Sequence, residues 1–487
     1  MLTVWVSILI PSFHFLQLSE LGSNHHQMSR PYDGNSLSVT FTSDNLHHMP
    51  NYFILLSAIT FFYDPGLEPK FQAQVLDNNI SIGYGLAIGN VDGDGKPDIL
   101  LADKKQFVWY RNGDWKRFVM VENLTESDNV CIAARDIDGD GMVEVAVGAQ
   151  WNPSETTDTL KSGSVHFLLR PSDPTQLWIP IELHHEPTIH RMKWIKAGAG
   201  YQLIVVPLHG RGNKGGEGMG VKVVAYEMPN DPRKKWKQWT IDQSMHLTHN
   251  LDVVSLSNRE LLYIGGKEGV KILSYDEGKW SAQAGSEWAV QGRSFGEVRI
   301  SDQVITGIEP MHGNQLTIYT GKENLTRTVL TSELNQGHAL ALADLLGSGS
   351  KQIIVGWREP DKDKKTGIKM FIPTAGQTSG WSEVWIDDNG IACEDLQLAD
   401  LDGDGRMEII AAGRASHNLK VFTSDAIVIN PRFAPTGCLG CRRNKHFDSR
   451  LLIFIRLPPA YDYLLISRSQ EVGQCQRVTL IEFRCQN

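Results

Sequence analysis

The sequence predicts an all-β chain: a seven-bladed β-propeller closed by an N-terminal strand, with irregular N- and C-terminal extensions. Three observations carry this reading. A strand, loop, strand frame recurs seven times, its spacing suits four-stranded blades, and its apolar residues alternate instead of recurring at helical intervals. The clearest copies begin at Ala87 (AIGNVDGDGKPDILLA), Ala133 (AARDIDGDGMVEVAVGA) and Gln397 (QLADLDGDGRMEIIAAG). A fourth, from Ala341 (ALADLLGSGSKQIIVGW), keeps the frame but holds Leu346 and Ser348 where the others place carboxylates.

With the frame fixed, weaker copies start at His190, His249 and Gly296. The residue entering the first strand of each unit serves as a marker: Tyr84, Val130, His190, His249, Gly296, His338 and Glu394, at intervals of 42 to 60 residues. Each unit adds a third strand, such as Val270-KILSY, and several a fourth that begins near a tryptophan, such as Trp381-SEVWI. The last unit runs out near Phe422, while an unclaimed strand, Phe71-QAQVLD, precedes the first. Pairing these two would close the ring and leave no open sheet edge at the seam.

The propeller is assigned to residues 70–426, a leader to 1–69 and a Cys-containing basic tail to 427–487. The leader holds two apolar runs, Leu2 to Leu16 and Tyr52 to Tyr63, either of which suits the core of an export signal, so the chain is expected to be secreted or periplasmic. No run reaches the length of a membrane-spanning helix. The tail cysteines, Cys438, Cys441, Cys475 and Cys485, are compatible with disulfides or a metal clip. A 41% apolar, 21% charged composition supports a folded core, and a net charge of −9 argues against a nucleic-acid partner, which needs a basic footprint.

Two sets of residues carry chemistry. The loops D-x-D-G-D-G-x-x-[DE] and their Asn variant put side-chain oxygens two residues apart, an oxygen cage suited to calcium. The sets are Asn90, Asp92, Asp94 and Asp98; Asp136, Asp138, Asp140 and Glu144; and Asp400, Asp402, Asp404 and Glu408. They are not EF-hands, because the twelfth positions hold Leu101, Val147 and Ala411 within strands. The frame resembles the FG-GAP or VCBS repeats of integrin-like propellers, a resemblance that implies fold and calcium but no reaction.

The second set lies on the opposite face, where the markers enter the channel. His190, His249, His338 and Glu394 would converge there as ligands for zinc or another divalent transition metal. Trp151, Arg211, Lys267, Trp357, Arg358 and His417 would rim the mouth. Residues 210–215 match G-x-G-x-x-G, but a strand follows them, so they are expected to form a flexible lid. The segments Pro187-TIHRMKW, Thr248-HNLD, Gly337-HALALAD and His209-GRG resemble the propeller domain of aldos-2-ulose dehydratase. That resemblance implies a carbohydrate hydro-lyase acting on ketosugars, with Asp252 or His209 removing the proton next to the carbonyl. The competing expectation is a non-catalytic propeller that binds carbohydrate or protein, with calcium purely structural.

Overall fold

Alternating apolar and polar residues fold into antiparallel sheets whose strands follow one another in chain order, because each tight turn returns the chain beside the strand it has just left. The computed structural model describes residues 68–424, apart from 258, 283–286, 302–303, 322–324 and 375–379. It adds the backbone of short strands at Ser7–Leu9, Ser36–Ser38, Leu452–Ile455, Leu464–Ser467 and Thr479–Ile481. The apolar leader runs and the four tail cysteines otherwise fall outside the described residues.

Two units divide the chain at Lys70 and Phe71. In the first, Ser7–Leu9 pairs with Ser36–Ser38. The second carries seven blades, whose innermost strands are Gly85–Gly89, Cys131–Arg135, Ile189–Ala197, Thr248–Ser255, Val298–Ile300, Gly337–Ala343 and Cys393–Ala399. Each inner strand packs on the next, and the seventh packs on the first, so the blades form a closed ring. The seam closes as the sequence implies: Phe71–Asp77 is the outer strand of blade 7, paired antiparallel to Asn418–Ser424 with Phe71 opposite Ser424. Blade 4 carries an extra short strand, Trp288–Gln291, beside Gly269–Asp276.

The core is a set of seven apolar layers, one between each pair of neighbouring blades. Between blades 1 and 2, for example, Leu100, Phe107 and Trp109 meet Ile132, Val145 and Val147. Between blades 7 and 1, Ile410, Ala412 and Leu419 meet Leu86, Ile99 and Leu101. Second and third strands are buried on both faces, which explains runs such as Glu144–Ala149, buried at every position. Each fully buried Leu or Val contributes about 1.5–3 kcal/mol, so sheets that share few backbone hydrogen bonds with one another are joined mainly by apolar contact.

No helix is present among the described residues, and so none is long and apolar enough to cross a membrane. The ring seam makes a direct prediction. Gln72 and Thr423 stand opposite each other in the closing pair. A Gln72→Cys, Thr423→Cys double variant should form a disulfide on oxidation and gain roughly 2–4 kcal/mol of stability. Failure of this pair to cross-link in folded protein, read by thiol titration, would contradict the closure.

Candidate functional site

The marker residues owe their direction to a local backbone irregularity. In blades 3, 4, 6 and 7 the register between first and second strands slips by one residue at the marker, between Ile189 and Arg191, Thr248 and Asn250, Gly337 and Ala339, and Cys393 and Asp395. His190, His249, His338 and Glu394 are therefore each the extra residue of a β-bulge, which re-aims a side chain that regular pleating would send elsewhere. The first strands of blades 1 and 2, whose markers are Tyr84 and Val130, pair without a slip.

Blade 5 solves the same geometry differently. Its marker is Gly296, and a Cβ there would come within 3.1 Å of His312 N and Met311 Cα. The bare backbone thus admits the turn after the second strand of blade 5, and His312, at a left-handed φ of 53°, reaches into the channel from that turn. The imidazoles of His249, His312 and His338 come together, with one ring nitrogen from each lying within 4.8 Å of the others.

Hydrogen bonds set the tautomers. His249 Nδ1 faces the Gly296 carbonyl at 3.2 Å and Glu297 Oε1 at 3.3 Å, both acceptors, so Nδ1 carries the proton. His338 Nδ1 donates to the Glu394 carbonyl at 2.6 Å. Each of these rings leans on the marker carbonyl of the following blade, and each therefore carries its lone pair on Nε2. Nε2 of His312 lies 2.7 Å from Nε2 of His249 and is the donor of that pair. Burial, above all, pushes the pKa values of His249 and His338 down and that of His312 to about 2, aided for His312 by neighbouring His249 and by Arg358, Arg191 and Arg414. The rings are neutral at physiological pH, the form that ligates metals.

His190 stands beside the triad but differs from it. Its ring is 4.6 Å from that of His249 and stacks on Trp151 at 5.1 Å. Arg191 Nη1 donates to its Nδ1 at 3.1 Å, so its proton sits on Nε2 and it offers a donor where His249 and His338 offer a lone pair. Glu394 also departs from the expected ligand set. Both of its oxygens accept from Arg358 Nη1 at 3.0 Å, and Oε1 accepts from Arg414 Nη1 at 3.0 Å. Only its backbone carbonyl serves the imidazoles.

The remaining sequence-selected residues divide. Trp151 and Arg358 line the site. Trp357 does not: it is 2% exposed, packs against Trp385 and donates Nε1–H to the Lys365 carbonyl, because its side chain points into the layer between blades 5 and 6. Arg211 Nε donates to Glu186 at 2.6 Å. Lys267 Nζ holds the Gly216 carbonyl and Glu217, both at 2.9 Å, and Asn213 bonds Met219, His246 and Gly216, so the glycine-rich loop is pinned and is not a free lid. His417 Nδ1 faces the Ser81 carbonyl at the ring seam, 3.0 Å away. Asp252 accepts the Ile300 N–H at 3.0 Å and lies three residues beyond His249, roughly 10 Å deeper along the strand. His209 has a buried Nδ1 without a partner, and burial lowers its pKa.

On the opposite face the Asp-Gly loops repeat one design. The leading residue caps its own turn, with Gly139 N–H donating to Asp136 at 2.7 Å and Gly403 N–H to Asp400 at 2.8 Å. The closing carboxylate accepts from the second loop residue, Val91 to Asp98, Ile137 to Glu144 and Leu401 to Glu408. Both glycines of each turn have φ near +80°, as in Gly93 and Gly95, a region that side chains avoid. Burial first, then neighbouring carboxylates, raises the pKa of Asp98 to about 6 and that of Glu144 to about 7, and raises that of Glu408. Oxygens of Asp136, Asp138 and Glu144, and of Asp400, Asp402 and Asp404, lie within 4.8 Å of one another. In the fourth copy a neutral Gln352 accepts the loop N–H of Leu346, so the turn persists without the charge.

The ring of blades and these loops define a class: a seven-bladed β-propeller with an FG-GAP-like repeat, which matches residues 90–147. Within that class the particular likeness is to the beta-propeller domain of aldos-2-ulose dehydratase, which matches residues 162–322, a span that holds His190, His249 and His312 but ends before His338. No curated protein matches the chain. Among solved structures, BBS1N in complex with ARL6DN is 12% identical, with 74% of this chain and 97% of that chain covered and a TM-score of 0.45. A chain of the mitotic checkpoint complex is 12% identical, covering 74% and 94% at a TM-score of 0.44. The WD40 beta propeller domain of Doa1 is 9% identical, covering 73% and 97% at a TM-score of 0.43.

Proposed function

We propose that this chain is an exported, calcium-braced propeller whose His249, His312 and His338 hold one divalent transition ion, with zinc favoured, and that the site dehydrates a small ketosugar. The observation that carries the reading is the convergence of three neutral imidazoles, two of them with Nδ1–H anchored on backbone carbonyls so that Nε2 faces inward. Metal-ligating histidines carry this kind of outer-shell partner, which fixes ring and tautomer. His312 fits once its proton moves from Nε2 to Nδ1. With Glu394 engaged by two arginines, the protein supplies three ligands and leaves a position open, the pattern of a catalytic centre, not a structural one.

The bound ion would act as a Lewis acid on a carbonyl. The protein's own part is proton management and positioning. His209, kept neutral by burial, is suited to accept the proton alpha to the carbonyl through Nε2, its Nδ1 being sealed from the site. His190 offers Nε2–H to a hydroxyl, and Trp151 supplies an apolar wall for a sugar ring. One observation favours the alternative, a propeller that binds carbohydrate or protein without turnover. Glu394, Glu297 and Asp252, the carboxylates around the channel, are each committed to an arginine, a histidine or a backbone N–H.

On the other face, three oxygen cages suit calcium, with Asn90, Asp92, Asp94 and Asp98 forming the first. An ion there would offset the burial, and after it the neighbouring-carboxylate repulsion, that raise Asp98 and Glu144. Calcium at about one hundred times its dissociation constant would stabilise each occupied loop by about 2.7 kcal/mol. Returning calcium to chelated protein should therefore raise the melting temperature, and Asp138→Ala with Asp402→Ala should remove most of the rise; a calcium-indifferent melting curve would overturn this assignment.

Elemental analysis tests the other face. The wild-type chain should hold about one zinc-like ion beyond its calcium, His249→Ala and His312→Ala should lose it, and His190→Ala should keep it. Turnover of ketosugars that disappears on chelation would then select the lyase over the binder. An ion retained by both His249→Ala and His312→Ala would refute the triad.

A further inference from the structure

The wall that carries the triad also carries paired guanidiniums with only one carboxylate between them. Arg358 lies just past the second strand of blade 6, Gln352–Trp357, and Arg414 just past that of blade 7, Glu408–Gly413. Both donate to the same acceptor, Glu394, each through Nη1 alone. Glu394 is 1% exposed, so it is sealed behind them, whereas the Arg414 side chain is 38% exposed. Gln336 takes Arg358 Nη2 at 3.1 Å, and the Arg414 guanidinium lies 5.5 Å over the Tyr84 ring, which fixes its plane. Two positive charges thus meet one negative charge at the mouth. Arg191 adds a third guanidinium one layer down, where Glu297 and Asp395 are its charged neighbours; among the described residues it forms no ion pair.

The local excess at Glu394, two guanidiniums to one carboxylate, stands against a chain net charge of −9. A neutral sugar has no use for it. Desolvating an uncompensated guanidinium beside a neutral hydroxyl is costly, whereas a carboxylate or phosphate recovers the cost through paired charge-assisted hydrogen bonds. The positions also match: Glu394, whose carboxylate holds both guanidiniums, is the residue whose backbone carbonyl anchors His338.

We propose that the exposed edge of Arg414, backed by the 13%-exposed Arg358, forms an oxyanion subsite beside the imidazole triad, so that the ligand is an acidic sugar derivative bearing a carboxylate or a phosphate. This deepens the carbohydrate reading above and rests on it for the sugar part alone. A carboxylate lies flat against the guanidinium fork, while a phosphate presents more oxygens; Arg–oxyanion pairing serves both.

Calorimetry on the full-length, zinc-loaded chain with glucose, glucuronate and glucose 6-phosphate tests this, with metal content measured on every sample. At least one acidic sugar should bind about tenfold or more tightly than glucose, and the stronger of the two names the anionic group. Arg414→Gln should bring that ligand to within about threefold of glucose with metal content unchanged, and Arg414→Lys should retain part of the preference. Equal binding of all three sugars, no binding of any, or a preference untouched in Arg414→Gln would overturn the subsite. Loss of the ion with the anion preference intact would instead refute the triad and leave the subsite standing.

Discussion

The site depends on one backbone constraint, the bulge at the entry of the first strand in blades 3, 4, 6 and 7. A first strand in a propeller faces the channel, but its pleat would alternate its side chains between the apolar layers on either side. The extra residue breaks that alternation at one point and turns His190, His249, His338 and Glu394 inward. The marker carbonyls of Glu394, at a bulge, and of Gly296, in the unbulged blade 5, receive Nδ1–H from the imidazole of the preceding blade. Fold and chemistry are therefore coupled residue by residue: one blade's backbone sets the tautomer of the ring in the blade before it.

This arrangement divides the molecule into two ends with different physics. At one end, carboxylates gathered on Asp-Gly turns oppose one another, and burial raises Asp98 and Glu144. At the other, burial keeps imidazoles neutral and pairs guanidiniums with a single carboxylate. Seven apolar layers hold the two ends apart, and the first-to-last strand pairing keeps those layers from parting at the seam. The ordinary stability of the blades lets the site carry two guanidiniums on one carboxylate and a cluster of buried rings.

The fold was legible because its signal is repetitive. Seven copies of one frame, including a degenerate copy at Asp344, fix blade number and closure without any single motif being decisive. The site was legible only in part. His249 and His338 share a frame position, so counting finds them. His312 comes from a turn outside the frame, and the signal that could have found it is indirect: a glycine, Gly296, at the marker where other blades carry a side chain, followed sixteen residues later by a histidine. The roles of Glu394 and His190 were not legible, because their partners, Arg358, Arg414 and Arg191, can be assigned only once bulges and turns place them. Trp357 misled for a related reason, since the last residue of a strand at a rim can point to the layer as well as to the mouth.

Three ring protons decide which nitrogens face the channel, and long-range proton–nitrogen NMR of the metal-free protein reads their positions directly. His249 and His338 should carry their protons on Nδ1 and His190 on Nε2. Spectra with His249 and His338 protonated on Nε2, or with all three rings in rapid tautomeric exchange, would contradict the anchoring of the imidazoles on marker carbonyls, and with it the inward lone pairs on which the proposed chemistry stands.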